Sequence, residues 1–132
     1  AGAFLASIAK SYQDTTKSLA FIAGGETVVH LIGKGLGGRN QELALAAAEG
    51  IAGLKDTAVF SVGSDGTDGP TDAAGGYTDN TTKEILAKEG IDIYQVLQNN
   101  DAYHALQKSG GLIMTGATGT NVNDVAVLLI RR

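Results

Sequence analysis

Three polar loops carry the residues of this sequence whose types and spacing could do chemistry. The first loop, residues 33–40, reads Gly-Lys-Gly-Leu-Gly-Gly-Arg-Asn and lies between a predicted strand and a predicted helix. Glycines let backbone N–H groups approach an anion, and the helix that follows points its partial positive end at the same place. Lys34 and Arg39 add full charges, and Arg39 can bind a carboxylate or phosphate through two parallel hydrogen bonds. The loop therefore indicates either an anion site or a tight turn with solvated charges.

The glycines of this loop also have the spacing of a nucleotide-binding motif, but the rest of that motif is missing. Gly33, Gly35 and Gly38 satisfy G-x-G-x-x-G. A dinucleotide site also needs an acidic residue at the end of the next strand, about 20 residues on, whereas Asp56 precedes its strand. The loop is not a P-loop either, because Arg-Asn stands where that motif has Lys followed by Ser or Thr. The glycine pattern alone is weak evidence for a nucleotide.

The second loop, residues 63–76, follows a buried strand and is rich in acidic residues. Carboxylates in such a place can hold Mg²⁺ through one or two direct bonds, with phosphate oxygens completing its shell. One of them could instead accept a proton from a substrate hydroxyl. The alternative is a set of Asx-turns, although structureless loops of this length are uncommon unless functional. The candidate side chains are Ser64, Asp65, Thr67, Asp68, Thr71 and Asp72.

The third loop, residues 115–124, again follows a predicted strand and offers hydroxyl and amide side chains. Such groups can donate hydrogen bonds to phosphate or sugar oxygens, and the alternative is a plain connection to the last strand. Three loops that each follow a strand favour one shared site. Weaker candidates are the lone His30 and His104, Glu26 at a turn, and a polar cluster at 99–101 that we interpret as a helix cap.

The elements that must position these loops alternate between strands and helices. The pattern of apolar residues predicts helices at 2–13, 41–52, 81–88, 93–98 and 101–108. It predicts strands at 19–23, 27–32, 57–62, 112–115 and 125–130, with a short strand or turn at 77–79. The first two strands are expected to form a hairpin. We therefore predict one layered α/β domain over residues 1–132, with a mixed sheet flanked by helices.

Composition narrows the class of protein. The chain contains no cysteine, which excludes disulfides and thiolate metal sites. Its net charge of −4, without a basic run, argues against nucleic-acid binding. No apolar stretch is long enough to cross a membrane and residues 1–10 lack the pattern of a secretory leader, so we expect a cytoplasmic protein. Because the chain starts without Met in a predicted helix, we expect a fragment of a longer protein.

The three loops resemble those of the MOFRL domain, the C-terminal domain of type II glycerate kinases. The resemblance covers about residues 21–130, in order. The stretches that carry it are Gly24-Gly25-Glu26-Thr27, Gly-Gly-Arg-Asn-Gln-Glu at 37–42, Asp-Gly-Thr-Asp-Gly-Pro-Thr-Asp-Ala-Ala-Gly at 65–75 and Thr-Gly-Ala-Thr-Gly-Thr-Asn-Val-Asn-Asp at 115–124. Ser64 and Ala117 stand where relatives are expected to carry Thr and Pro, and neither change removes a charge.

The resemblance implies an enzyme that transfers phosphate from ATP to D-glycerate with Mg²⁺. It also implies a larger Rossmann-like N-terminal domain, with the active site in the cleft between the two domains. This chain lacks that partner, so we expect it to be inactive alone. Two alternatives stay open. One is a non-catalytic ligand-binding or interaction module. The other is an NAD(P)-dependent hydroxypyruvate reductase, a label that relatives often carry and that the poor dinucleotide pattern argues against.

Together, the loops and the resemblance assign roles to individual residues. Arg39, Asp65 and Asp68 are expected to be catalytic, with Arg39 clamping the glycerate carboxylate or a phosphate. Asp72 is the expected Mg²⁺ ligand. Substrate or phosphate contacts are expected from Lys34, Gly37, Gly38, Asn40, Glu42, Thr67, Thr118, Thr120 and Asn121.

Overall fold

The computed structural model describes residues 1–132 as a sheet with helices. The strands are β1 (Leu19–Gly25), β2 (Thr57–Gly63), β3 (Gly75–Asp79), β4 (Leu112–Ile113) and β5 (Asp124–Ile130). The helices are α1 (Gly2–Ser11), α2 (Arg39–Ile51), α3 (Thr82–Lys88), α4 (Ile93–Gln98) and α5 (Ala102–Ser109). None of these helices is long and apolar enough to span a membrane. The predicted α/β class is confirmed.

The strands form one sheet in the order β1-β5-β2-β3-β4. Every neighbouring pair runs antiparallel, so the sheet is antiparallel throughout where a mixed sheet was expected. The connections between the strands explain the antiparallel pairing. The chain reverses from β2 into β3 through the acidic loop, and β5 inserts between β1 and β2 in the opposite direction to both. One end of this sheet therefore carries the acidic loop and the start of β5.

The predicted hairpin between residues 19–23 and 27–32 does not form. A hairpin needs the chain to reverse at Gly24-Gly25, but both glycines stay in β1 and pair with Val125 and Asp124 of β5. The following residues, which we call the 27–32 segment, have no regular secondary structure. The final strand thus takes the position beside β1 that the local sequence pattern assigned to this segment.

Helix α2 is the centre of the core because it is apolar on nearly all sides. One side packs with α1, β2 and β5, and the other packs with α3, α4 and α5. Three of its alanines are completely buried, which allows a close approach to the sheet. Thr78 of β3 donates a hydrogen bond to the carbonyl of Ala44 at 2.7 Å. Because α2 is held on both sides, its first residue, Arg39, has a fixed place.

The helices cover one face of the sheet and leave the other face open. On the covered face, Val59 of β2 and Leu128 of β5 are fully buried. On the open face, Ile22, Tyr77 and Leu129 are exposed. Alternation along β2 and β5 therefore separates a core side from an apolar surface that nothing in this chain covers.

Adjacent residues of β5 provide a matched test of this arrangement. We expect Leu128→Ala to lower the free energy of unfolding by about 3 kcal/mol, because it leaves a cavity in the core. Leu129→Ala, on the open face, is expected to cost less than half as much. Urea denaturation of the two variants measures the difference, and equal losses would contradict the assignment of the faces.

Candidate functional site

The first loop and the 27–32 segment enclose a cleft of about 430 Å³. Its lining includes Lys34, Gly37, Gly38, Arg39 and Glu42, all of which were predicted site residues. A smaller cavity of about 170 Å³ shares Thr27 with the cleft and is lined by the predicted residue Asn40. The structure therefore gathers the residues of the glycine-rich stretch around one concave surface.

Arg39 is held in place by a buried carboxylate. Its Nε and Nη2 atoms donate to the two oxygens of Asp124 at 2.5 and 2.9 Å. Glu26, which is exposed, accepts a longer bond from Nη2 at 3.4 Å. The hydrogen bond to Asp124 is the main cause that raises the pKa of Arg39 above its ordinary value, so the guanidinium stays charged. Nη1 makes no hydrogen bond within the chain, so one edge of the guanidinium remains available.

Asp68 occupies the N-terminus of α2. Its side chain is 1% exposed and accepts four N–H groups, from the backbone and side-chain amides of Asn40 and Gln41, at 2.9–3.1 Å. A Cβ at Gly38 would lie 2.4 Å from the Asp68 carboxyl carbon, which explains the glycine there. The positive end of the helix thus already faces an anion, and that anion belongs to the chain itself.

The first loop likewise donates most of its N–H groups to the chain itself. The backbone N–H groups of residues 32–36 are all accepted by residues Asn99, Asn100 and Asp101. This cluster was interpreted as a helix cap, but the Asp101 side chain makes no capping bond to α5 and accepts the Leu36 N–H instead. The backbone N–H groups of Gly37 and Gly38 have no partner within the chain.

Asn100 links this loop to helix α2. Its side-chain amide donates to both carboxylate oxygens of Glu42 and to the carbonyl of His30, each at 3.2 Å. Asn100 is buried and adopts a left-handed backbone conformation with φ of 53°, which Asn tolerates better than most residues. Burial raises the pKa of the Glu42 carboxyl, and the Asn100 hydrogen bonds partly oppose that shift.

The second and third loops pack against each other. Thr118 donates to the Asp65 carbonyl through its N–H at 3.3 Å and to the Ser64 carbonyl through its hydroxyl at 2.5 Å. The hydroxyl of Ser64 in turn accepts the Val122 N–H at 2.7 Å. Gly66 fits so tightly that a Cβ there would lie 2.0 Å from the Gly116 carbonyl oxygen. These two loops therefore form one surface.

Asp65 is the accessible carboxylate of this surface. Its Oδ1 accepts the N–H and the hydroxyl of Thr67, both at 3.0 Å. These bonds, with a smaller contribution from the charge of Arg39, lower the pKa of Asp65. Thr120 and Asn121 are exposed in the neighbouring loop. Asp65 therefore remains ionised and has one oxygen free of hydrogen bonds within the chain.

Asp72 lies apart from these groups. It is exposed and accepts a hydrogen bond from the Tyr103 hydroxyl at 2.8 Å, which raises the pKa of Tyr103. No group of three or more acidic or histidine side chains converges to hold a metal ion. The two lone histidines are exposed, and His104 contacts Asp101 at 2.7 Å.

The local sequence did not point to one partner of the site. Asp124 was noticed as the end of the third loop but was given no role, whereas it orients Arg39. The available signal was a charged residue directly before the apolar run 125–130, and the structure buries that residue to 7% exposure. A buried carboxylate at a strand end requires a cationic or N–H partner.

Comparisons with known proteins match nearly the whole chain to longer proteins. The model of the MOFRL family matches residues 19–124. The chain is 55% identical to the D-glycerate 2-kinase of Thermotoga maritima over 98% of this chain and 32% of that protein. It is 44% identical to the glycerate 2-kinase of Pyrococcus horikoshii over 98% of this chain and 30% of that protein. The chain thus spans about a third of the length of these relatives.

Solved structures give the same relation. The crystal structure of the glycerate kinase from Thermotoga maritima matches with a TM-score of 0.94 and 54% identity, over 98% of this chain and 32% of that chain. A Pyrococcus horikoshii protein matches with a TM-score of 0.91 and 42% identity, over 98% of this chain and 30% of that chain. The layered fold is therefore shared with one part of each longer chain.

Two aspartates of the acidic loop provide a matched stability test. We expect Asp68→Ala to lower the free energy of unfolding by about 3 kcal/mol, because it leaves buried N–H groups of α2 without a partner. Asp72→Ala removes an exposed hydrogen bond and should cost less than about 1 kcal/mol. Thermal or urea denaturation compares them, and a neutral Asp68→Ala would show that the carboxylate does not cap the helix.

The raised pKa of Glu42 predicts a specific pH dependence. The folded state binds the Glu42 carboxyl proton more tightly than the unfolded state does. The contribution of this proton to the free energy of unfolding is therefore fully present below the pKa of Glu42 in the unfolded state. It is lost as pH rises through the folded pKa. Glu42→Gln is neutral at every pH, so its Tm relative to the parent protein should rise as pH increases above the ordinary pKa of a glutamate and level off above the folded pKa. A difference that stays flat or falls would contradict the shift.

Proposed function

This chain belongs to the MOFRL family, and from that membership we propose that it forms one domain of a glycerate 2-kinase, which transfers phosphate from ATP to D-glycerate. The two relatives described above are named D-glycerate 2-kinase and glycerate 2-kinase. The observation that carries the proposal is the fixed guanidinium of Arg39, which lines an open cleft with one edge free.

Arg39 binds an anionic group of the substrates, either the glycerate carboxylate or a phosphate. Asp124 fixes the plane of the guanidinium before the substrate arrives, so little side-chain freedom is lost on binding. The bond to Glu26 is long and exposed, which allows a substrate anion to displace it. Phosphoryl transfer depends mainly on positioning and on neutralising charge, and a fixed arginine supplies both.

The two predicted catalytic aspartates have different roles in this proposal. Asp65 is ionised and accessible on the surface formed by the second and third loops. There it orients a substrate hydroxyl or another hydrogen-bond donor of the bound substrates. Its low pKa makes it a weak proton acceptor. Asp68 is enclosed by N–H groups and acts as a positioning residue that sets the start of α2.

Magnesium, which the use of ATP implies, would meet single carboxylates in this chain and no preformed cluster of ligands. Asp65 and Asp72 are single carboxylates outside any cluster of acidic groups. Mg²⁺ usually combines one or two carboxylates with phosphate oxygens and water. Asp72 as a ligand stays a prediction, and we assign no step to the metal.

The remaining part of the kinase completes the site in this proposal. Because the chain spans about a third of its relatives, we place the substrates between this domain and the rest of a longer polypeptide. This chain alone is then inactive, and its cytoplasmic location stays a prediction. A dinucleotide reductase has less support, because the N–H groups of residues 32–36 that would cradle a pyrophosphate are bonded within the chain.

Substitution of Arg39 in the full-length kinase tests the proposal. Arg39→Ala should lower kcat/KM for D-glycerate phosphorylation at least about tenfold, or about 1.4 kcal/mol of transition-state stabilisation. Arg39→Lys keeps the charge but loses the paired hydrogen bonds, so it should also be impaired. Arg131→Ala is the control, since Arg131 follows the opposite end of β5 and is exposed. A folded Arg39→Ala protein with unchanged kinetics would remove the proposed role.

A further inference from the structure

The 27–32 segment has the sequence of a strand but lacks a strand partner. Thr-Val-Val-His-Leu-Ile is rich in β-branched residues, which favour strands. Exposure alternates at its start, as in a strand with one covered face, since Thr27 and Val29 are half-buried and Val28 is 88% exposed. Leu31 and Ile32 are 80% and 71% exposed. Local preference and tertiary structure therefore disagree at this one place.

The backbone of the segment is almost without hydrogen bonds. The N–H groups of residues 27–31 donate to nothing in the chain, and of the carbonyls only that of His30 accepts a bond, from Asn100. Unpaired N–H and C=O groups in a β-prone stretch are what an exposed sheet edge presents to another strand. Apolar side chains beside them add surface that a partner could cover.

Both ends of the segment are nevertheless fixed. It begins directly after β1, where Gly25 pairs with Asp124. It ends where Asn100 accepts the N–H groups of Ile32 and Gly33 at 2.9 Å. The ordering of the ends reduces the conformational entropy that strand pairing would cost. The middle of the segment also lines the cleft beside Arg39, so a partner strand there would border the site.

We propose that the 27–32 segment pairs as a β-strand with a strand from the remaining part of the same longer kinase polypeptide. This inference rests on the proposed function, because it takes the chain to be one domain of that kinase. The match to a solved glycerate kinase covers 98% of this chain but 32% of that chain, so about two thirds of that polypeptide lies outside the matched domain. The pairing joins the two parts at the rim of the cleft.

Hydrogen–deuterium exchange of the full-length kinase, without substrates, tests the pairing. Alternate amides of residues 28–31, those on the edge that faces the partner strand, should exchange at least about 100-fold more slowly than their unprotected rates. The exposed residues 119–121 of the third loop, whose N–H groups donate to nothing in the chain, are the internal control for fast exchange. Equally fast exchange in both regions would overturn the inference. So would protection that disappears when a dimer is diluted to monomer, because the partner would then be a second copy.

Paired proline substitutions in the full-length kinase give a sharper test. N–H groups of adjacent strand residues point to opposite edges, so one of Val28→Pro and Val29→Pro should remove a ladder hydrogen bond while the other spares it. We expect one variant to lose protection across the segment and the other to retain it. Equal losses would indicate packing without strand pairing and overturn the inference.

Val28→Thr keeps the N–H and the β-branched shape and should retain protection, which keeps the test decisive if a proline variant fails to fold. These measurements do not depend on catalysis. A protected segment in a protein that does not phosphorylate glycerate would refute the proposed function but support the pairing. An active kinase with an unprotected segment would support the proposed function but overturn the pairing.

Discussion

The site depends on the hydrogen bonds between the Asp68 carboxylate and the N–H groups at the start of α2. The carboxylate accepts four N–H groups while almost completely buried, and it ties the acidic loop to the helix that carries Arg39. Removal of this anion would leave donors unpaired in the interior, where an unmet hydrogen bond costs most. The glycine at 38 follows from the same contact, because the carboxylate fills the space of a side chain.

Most backbone N–H groups of the first loop are also bonded within the chain. Residues 99–101 accept the N–H groups of residues 32–36, so the glycines serve close contact between two parts of one chain. What remains for a ligand is a smaller set, namely the free edge of Arg39 and the N–H groups of Gly37 and Gly38. A rigid frame with a few free donors is well suited to an anionic substrate, because the donors need not reorganise on binding.

Several groups without partners in this chain lie at or near the cleft. The unpaired 27–32 segment borders the same surface as Arg39, and Asp65 presents a charged group from the adjoining loops. The chain spans about a third of the length of its relatives, and the proposed strand partner for the 27–32 segment belongs to the remaining length.

The sequence by itself determined the α/β class, the approximate position of each helix, and the three loops, because apolar periodicity and glycine placement are local signals. It also identified the family from the residues of those loops. Tertiary structure decided the rest. The hairpin failed because β5, about 100 residues further on in sequence, outcompeted the adjacent segment for β1. The separate environments of Asp65, Asp68 and Asp72 also arose only on folding. Burial and hydrogen-bond partners come from residues distant in sequence, so three similar aspartates became an accessible anion, a helix cap and a surface contact.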